Sequence, residues 1–387
     1  MYDFSKLQGY LDSLIQSGVP GCSAAIYLHG EPVFSYCTGY ADQEKTRPTA
    51  PDDIYYIYSC TKPVTVAAAM QLVEQGKLGL DDPVCRYLPE YADAYYLQDG
   101  KPVTVGETMT VRHLFTMSAG LDYDLTSEPI RTAQERYGSG ITTRQMVAAF
   151  VQKPLLFKPG TQMQYSFCHD VLAVIVEIVS GKHFGEYLRE QIFTPLGMSD
   201  TGFFPTKEHF ARMADQYQKA GAVRREKTND FQLSAKYESG GAGLFSTLTD
   251  YGRFAAAMSC GGQAADGTRI LKTETVDLIR TPQKPGFGEN NWYCMPGYEY
   301  GFGVRTRIIR SGGRCSYPGE FGWDGAAGAH VLMDPTVQVA LVYMQHAHDC
   351  PHPPYARLQE LCYETLSYRP TKIHCKMNGG TYHDPAL

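Results

Sequence analysis

The sequence predicts an α+β chain: one sheet assembled from both chain ends, with a mostly helical region inserted between them. Three observations carry that expectation. Strand-like apolar runs flank a short Gly-containing turn near the start. Strand-like runs return near the end. Between about residues 60 and 290 the apolar residues recur mostly at helical spacing. The expected regions are 1–58 with 300–387 for the sheet, and 59–299 for the helical insertion.

In chain order, apolar Phe4, Leu7, Leu11, Leu14 and Ile15 place a helix over residues 4–17. Cys22–Leu28 and Pro32–Thr38 read as a hairpin around His29, Gly30 and Glu31. Helices follow over Val64–Gln75, Thr110–Met117, Thr143–Val151, Asp170–Val179, Phe184–Ile192, Thr249–Met258 and Thr273–Ile279. Thr110 suits an N-cap and Gly181 a helix stop. The stretch 282–300, rich in Gly, Pro, Asn and Tyr, reads as a long loop. Phe302–Ile309, Ala326–Met333 and Val337–Gln345 read as strands, the last two joined by a turn at Asp334, Pro335 and Thr336. Tyr355–Tyr368 reads as a closing helix.

Composition excludes several classes of protein. Hydrophobic residues at 43% and charged residues at 20% exclude wholesale disorder. At 387 residues the chain buries a large core without disulfide or metal staples. A net charge of −6 lacks the basic footprint of a nucleic-acid binder. No apolar run approaches the roughly 20 residues of a membrane helix. The 11 cysteines are odd in number and contain no C-x-x-C pair, which suggests free thiols in a reducing compartment. With no basic stretch leading into an apolar one at the start, the expectation is a cytoplasmic protein. The partner expected is a small acyl molecule, with neither nucleic acid nor membrane; oligomeric state is not legible.

Chemistry concentrates first at Tyr58-Ser59-Cys60-Thr61-Lys62, which leads into a helix. Ser59 and Lys62 are three apart and share a helix face, with Cβ atoms roughly 5–6 Å apart. A lysine with its pKa lowered there can take the serine proton. Taken alone, S-x-x-K is a weak signal: most such matches are structural, and a serine that merely caps the helix is the ordinary alternative. Tyr165, after Pro159-Gly160-Thr161, precedes a helix start, where a phenol beside an ammonium can serve as a general base. With 28 tyrosines in the chain, a packing role is the ordinary alternative. Gly322-Trp323-Asp324-Gly325-Ala326-Ala327-Gly328 places small residues where a ligand can approach a strand backbone closely, and an N–H there can join that of Ser59 as an oxyanion hole.

These motifs, in this order, resemble the serine β-lactamase and penicillin-recognising superfamily, and within it the class C β-lactamase-related esterases. The resemblance also takes in residues 110–121, Lys158-Pro159-Gly160-Thr161 with Tyr165-Ser166, residues 240–247, and Trp323 through Pro335. S-x-x-K is a known signature of β-lactamases and penicillin-binding proteins. The resemblance implies a β-lactamase-like fold, with an antiparallel sheet flanked by helices. It implies a serine acyl-enzyme mechanism without cofactor or metal. Ser59 is the implied nucleophile, Lys62 and Tyr165 move its proton, and the backbone N–H groups of Ser59 and Ala326 hold the oxyanion.

Departures from the pattern bear on substrate. Phe167 stands where β-lactamases and D,D-peptidases usually carry Asn. Trp323 stands where they carry Lys or His, so it supplies apolar area and one N–H rather than a charge. Both point to the esterase branch, in which Asp324 replaces a usual glycine. A carboxylate facing the cleft would disfavour an anionic substrate; facing outward on the strand it would mean little. Trp323, Asp324, Gly325, Phe167, His169 and Trp292 are the expected substrate-binding residues. Asp170 is read as a helix cap, His113 as a packing or hydrogen-bonding residue, and Cys60 as a small packing residue. The function expected is cleavage of carboxylic esters. A β-lactamase or D-amino-acid peptidase, an acyltransferase and a non-catalytic binding protein are the alternatives.

Overall fold

The computed structural model describes residues 2–218, 224–283, 297–308, 316–348 and 354–368, with backbone at 376–377 and 380–381. Helix α1 is Ser5–Gln16, and the hairpin strands are β1, Gly21–Leu28, and β2, Glu31–Gly39. The turn between the strands is the two residues His29 and Gly30, both at positive φ (53° and 84°), which matches the right-handed twist of its strands. Helix α2 is Thr61–Glu74, α3 is Cys168–Ser180 and α4 is Leu248–Ser259. The late strands are β3, Tyr298–Tyr300; β4, Arg305–Arg307; β5, Phe321–Asp324; β6, His330–Asp334; and β7, Val339–Met344. Helix α5 is Tyr355–Thr365.

The seven strands form one antiparallel sheet in the order β2-β1-β7-β6-β5-β4-β3. β1 pairs with β7 from Ser23 opposite Met344 to Leu28 opposite Val339, so the two chain ends meet as neighbouring strands inside the sheet. Period-two alternation sends its side chains to two separate cores. Ala24, Ile26, Leu332, Leu341 and Tyr343 pack with α1 and α5. Ala25, Tyr27, Val331, Met333, Val342 and Trp323 pack with the helical region. With both faces covered, the strands read as continuous apolar runs rather than alternating ones. In α2, 12 of 14 residues are buried, so this is a core helix with no solvent face. α3 ends at Gly181, whose φ of 71° is the left-handed cap that the sequence predicts.

Three expectations shift. The predicted strand Ala326–Met333 is instead a turn over 325–328 followed by β6, and Phe321–Asp324 forms the preceding strand. Glycines at 325 and 328 close that turn, with Gly328 N–H donating to Gly325 O at 2.9 Å. Trp323 therefore stands at the end of a strand and Ala326 in the turn after it. Tyr298–Tyr300, read as loop, is the edge strand of the sheet. The helical region also holds elements that the sequence does not announce, among them the helix Glu128–Tyr137 and the hairpin Tyr95–Gln98 with Lys101–Thr104.

Candidate active site

A short pairing of Tyr55–Tyr56 with Phe245–Ser246 delivers the chain to the start of α2. Tyr58 then adopts φ 46°, a left-handed conformation costly for a bulky residue. Its side chain is fully buried and donates to Gln216 Oε1 at 2.7 Å, which holds the bend. The bend turns Ser59 out, half-buried, at the head of α2, while Cys60 points inward against the Trp323 carbonyl at 3.6 Å. Burial pushes the Cys60 thiol well above its ordinary range, so it stays protonated and unreactive.

Lys62 is completely buried one turn on. Its Nζ donates to Ser59 Oγ at 3.2 Å and to Gly241 O at 2.7 Å. It also lies 4.3 Å from the ring centroid of Tyr165 and 5.5 Å from that of Tyr123. Burial pulls the ammonium down to about 7, with the Asp170 carboxylate opposing. A lysine in that range is available as a neutral base near neutral pH.

Tyr165 is nearly buried, and its ring lies parallel to the Trp323 indole at 5.8 Å between centroids. The indole N–H donates to Tyr165 Oη at 3.1 Å. Trp323 also meets Tyr300 edge-on at 5.4 Å. Gly325 presses on the chain just before the serine: a Cβ there would stand 2.3 Å from Ile57 O. That contact fixes the spacing between the β5 end and Ser59. The Ser59 and Ala326 amides donate to no carbonyl among the described residues.

The structure thus brings Ser59, Lys62, Tyr165, Trp323 and Gly325 together, with Ala326 on the turn beside them. It separates the others. Asp324, expected against substrate, points to the opposite sheet face and ion-pairs with Arg305 and His330. Alternation along β5 dictates this, because neighbouring residues face opposite ways. Burial opposes the charge, but Arg305 and then His330 hold the carboxyl well below the usual carboxylate range. Phe167 is also corrected: its ring is buried and stacks on Phe150 at 4.3 Å rather than facing the cleft. His169 is fully buried behind Lys62, against Val66 and Gly303, where burial pulls it down to about 3 and keeps it neutral. Trp292 lies outside the described residues. His113 Nδ1 accepts from the Thr110 N–H at 3.1 Å, the hydrogen-bonding role read for it.

Two neighbours were missed. Tyr123 packs on Tyr165 at 5.6 Å and on Phe167 at 4.6 Å. Asp170, read as a cap, is a fully buried carboxylate that accepts from Tyr237 at 2.8 Å and Ser239 at 2.6 Å. An acidic residue directly heading the apolar run Val171 through Val176 was the available signal.

The protein-family description Beta-lactamase matches residues 5–358. The Mycobacterium tuberculosis protein Rv1367c is 32% identical over 332 residues, covering 80% of this chain and 82% of its own. Esterase EstB of Burkholderia gladioli is 29% identical over 375 residues, covering 88% and 91%. Among solved structures, EstCE1, described as a hydrolase with promiscuous acyltransferase activity, superposes with a TM-score of 0.77 at 26% identity, over 93% of this chain and 97% of that one. With its sheet, its S-x-x-K helix and this match over most of its length, the chain belongs to the beta-lactamase family.

Proposed function

We propose that this enzyme cleaves carboxylic esters through an acyl-enzyme on Ser59. The observation that carries the reading is the buried Lys62 amine, 3.2 Å from Ser59 Oγ. Neutral Lys62 takes the hydroxyl proton as Oγ attacks the ester carbonyl. The amides of Ser59 and Ala326 receive the oxyanion. The C–O bond to the leaving alcohol then breaks, and Lys62 and Tyr165 return the proton to that oxygen. Water, deprotonated by the same pair, releases the acid and restores Ser59. The likeness to EstB supports ester substrates.

Among the described residues the cleft offers no arginine for a substrate carboxylate: Arg305 is taken by Asp324 on the far sheet face. This favours neutral acyl esters over β-lactams and D-amino-acid peptides. Acyl transfer to an alcohol uses the same intermediate and is supported by the likeness to EstCE1. The seven described cysteines are all free thiols, which supports residence in a reducing, cytoplasmic setting. No helix among the described residues is long and apolar enough to cross a membrane. We read the expected 59–299 region as an insertion into the sheet-bearing one, its end drawn back before Tyr298 because Tyr298–Tyr300 is the edge strand.

The test is a series of p-nitrophenyl esters of rising acyl length beside a chromogenic cephalosporin, with and without added alcohol acceptors. Turnover of the short and medium esters is expected, with loss of at least about 1,000-fold in Ser59→Ala. Undiminished turnover by that variant overturns the assignment.

A further inference from the structure

Asp170 is the one carboxylate facing Lys62 among the described residues, and the mechanism above does not use it. It sits on the first turn of α3, entirely buried. Its Oδ1 accepts from the Tyr237 and Ser239 hydroxyls. Ser239 Oγ in turn accepts from the Ala242 N–H at 3.0 Å, closing the loop whose Gly241 carbonyl receives the Lys62 ammonium. The carboxylate and the ammonium both face the Cβ side of Gly241. A methyl on its Cα would stand 2.7 Å from Asp170 Oδ2, 2.8 Å from Tyr123 Oη and 3.6 Å from Lys62 Nζ. The carboxylate, the Tyr123 hydroxyl and the ammonium thus converge on the one small space that the missing side chain of Gly241 leaves open.

We propose that Asp170 is a positioning residue for the proposed hydrolysis, acting through Lys62: its buried charge sets how readily Lys62 gives up its proton, and its hydrogen bonds hold the Gly241 carbonyl in place. This rests on Lys62 being the base.

Burial alone drives Lys62 toward the neutral form, and a base neutralised too far is weak. A carboxylate nearby restores basicity. The two hydroxyl donors keep that carboxylate charged against its own desolvation, which pushes Asp170 up. The other groups around Lys62 do not supply charge. Cys60 and Cys168 are thiols raised by burial, Cys168 to about 11. His169 is neutral, and Tyr237 is pushed well above its ordinary range by burial and then by Asp170. The rings of Tyr165 and Tyr123 present faces to the ammonium. Asp170 is therefore the tuning group that the geometry singles out.

The test is Asp170→Asn, whose amide oxygen still accepts from Tyr237 and Ser239 but carries no charge. The acid limb of kcat/KM for a p-nitrophenyl ester is expected to move about one pH unit toward acid. Activity at pH 6 relative to pH 9 then rises about fivefold. Tyr237→Phe, which removes one donor while keeping the ring, is expected to move the limb in the same direction by less. It also covers the case in which Asp170→Asn fails to fold. A limb that stays in place while activity drops at every pH overturns the proposal and leaves Asp170 a structural residue. Ser59→Ala separates the two claims. If it retains turnover, the parent reading falls; if it is dead and the limb is unmoved, only the Asp170 proposal falls.

Discussion

The indole N–H of Trp323 donates to the Tyr165 hydroxyl oxygen at 3.1 Å, so its one polar atom is turned on the candidate proton-transfer group. A donor aimed at a phenol oxygen stabilises the negative charge that oxygen develops as it passes its proton on. Trp323→Phe keeps the apolar area and removes the donor. A hydrogen bond to a charged group contributes about 1.5–3 kcal/mol, so kcat for a p-nitrophenyl ester is expected to fall roughly 10- to 100-fold with KM little changed. A rise in KM alone would show that Trp323 merely holds substrate.

Lys62 sets a pH dependence with a definite sign. Its folded value of about 7 lies below the ordinary 10.5 because of burial. The neutral amine is the base, so kcat/KM is expected to rise tenfold per unit on the acid side and level off above about 7. Stability moves the same way. Between about 7 and 10.5 the unfolded chain binds more protons at this position, so raising the pH across that window favours the folded state. A pH–rate profile of kcat/KM checks the first statement and thermal melts between pH 6 and 9 the second. A profile flat from pH 5 to 9 would remove Lys62 as the base.

That Ser59, Lys62 and Tyr165 stand together was legible because helical spacing and the neighbouring motifs constrain where they stand. What surrounds them was not, for physical reasons. Asp324 and Trp323 are adjacent in sequence, and only the placement of β5 decides which of them faces the cleft. Apolar runs gave no phase, because both sheet faces are buried. Phe321–Asp324 escaped notice since glycines flank it on either side, at 319 and 325, and small residues past Gly325 imitate a strand start. His169 and Asp170 looked like helix-start residues, yet α3 runs through the core from its first turn. Burial there depends on α2 and on the loop at Gly240 and Gly241, which lie about 70 to 110 residues away in the chain.

Gly325 links the sheet to the nucleophile by backbone contact. A methyl on its Cα would meet Ile57 O at 2.3 Å, and neither atom belongs to a flexible side chain. Gly325→Ala must therefore part the β5 end from the chain before Ser59. Ala326 moves with it, and an oxyanion donor displaced by as little as 1 Å loses most of its value. A fall in kcat of about 100-fold or more is expected, with the variant still folded by circular dichroism. Retention of wild-type kcat would show that the Ala326 amide takes no part in holding the oxyanion.

Asp324 is expected to matter for stability and not for substrate. Its carboxylate answers the Arg305 guanidinium, which is 3% exposed, and the fully buried His330 ring, which stacks on Tyr355 of α5 at 4.4 Å. Removing it takes from the buried Arg305 its ion-pair partner and leaves only the more distant Glu320 carboxylate acting on it among the described residues, and losing one partner of such a pair costs about 3 kcal/mol. Asp324→Ala should lower the melting temperature by several degrees. KM for neutral esters should stay within about twofold of wild type, since the carboxylate faces α5 rather than the cleft. Anionic esters, such as hemisuccinates, give the sharper check. A carboxylate at the cleft would repel them, so its removal would raise their kcat/KM selectively; from the far sheet face it should leave the ratio of anionic to neutral turnover unchanged.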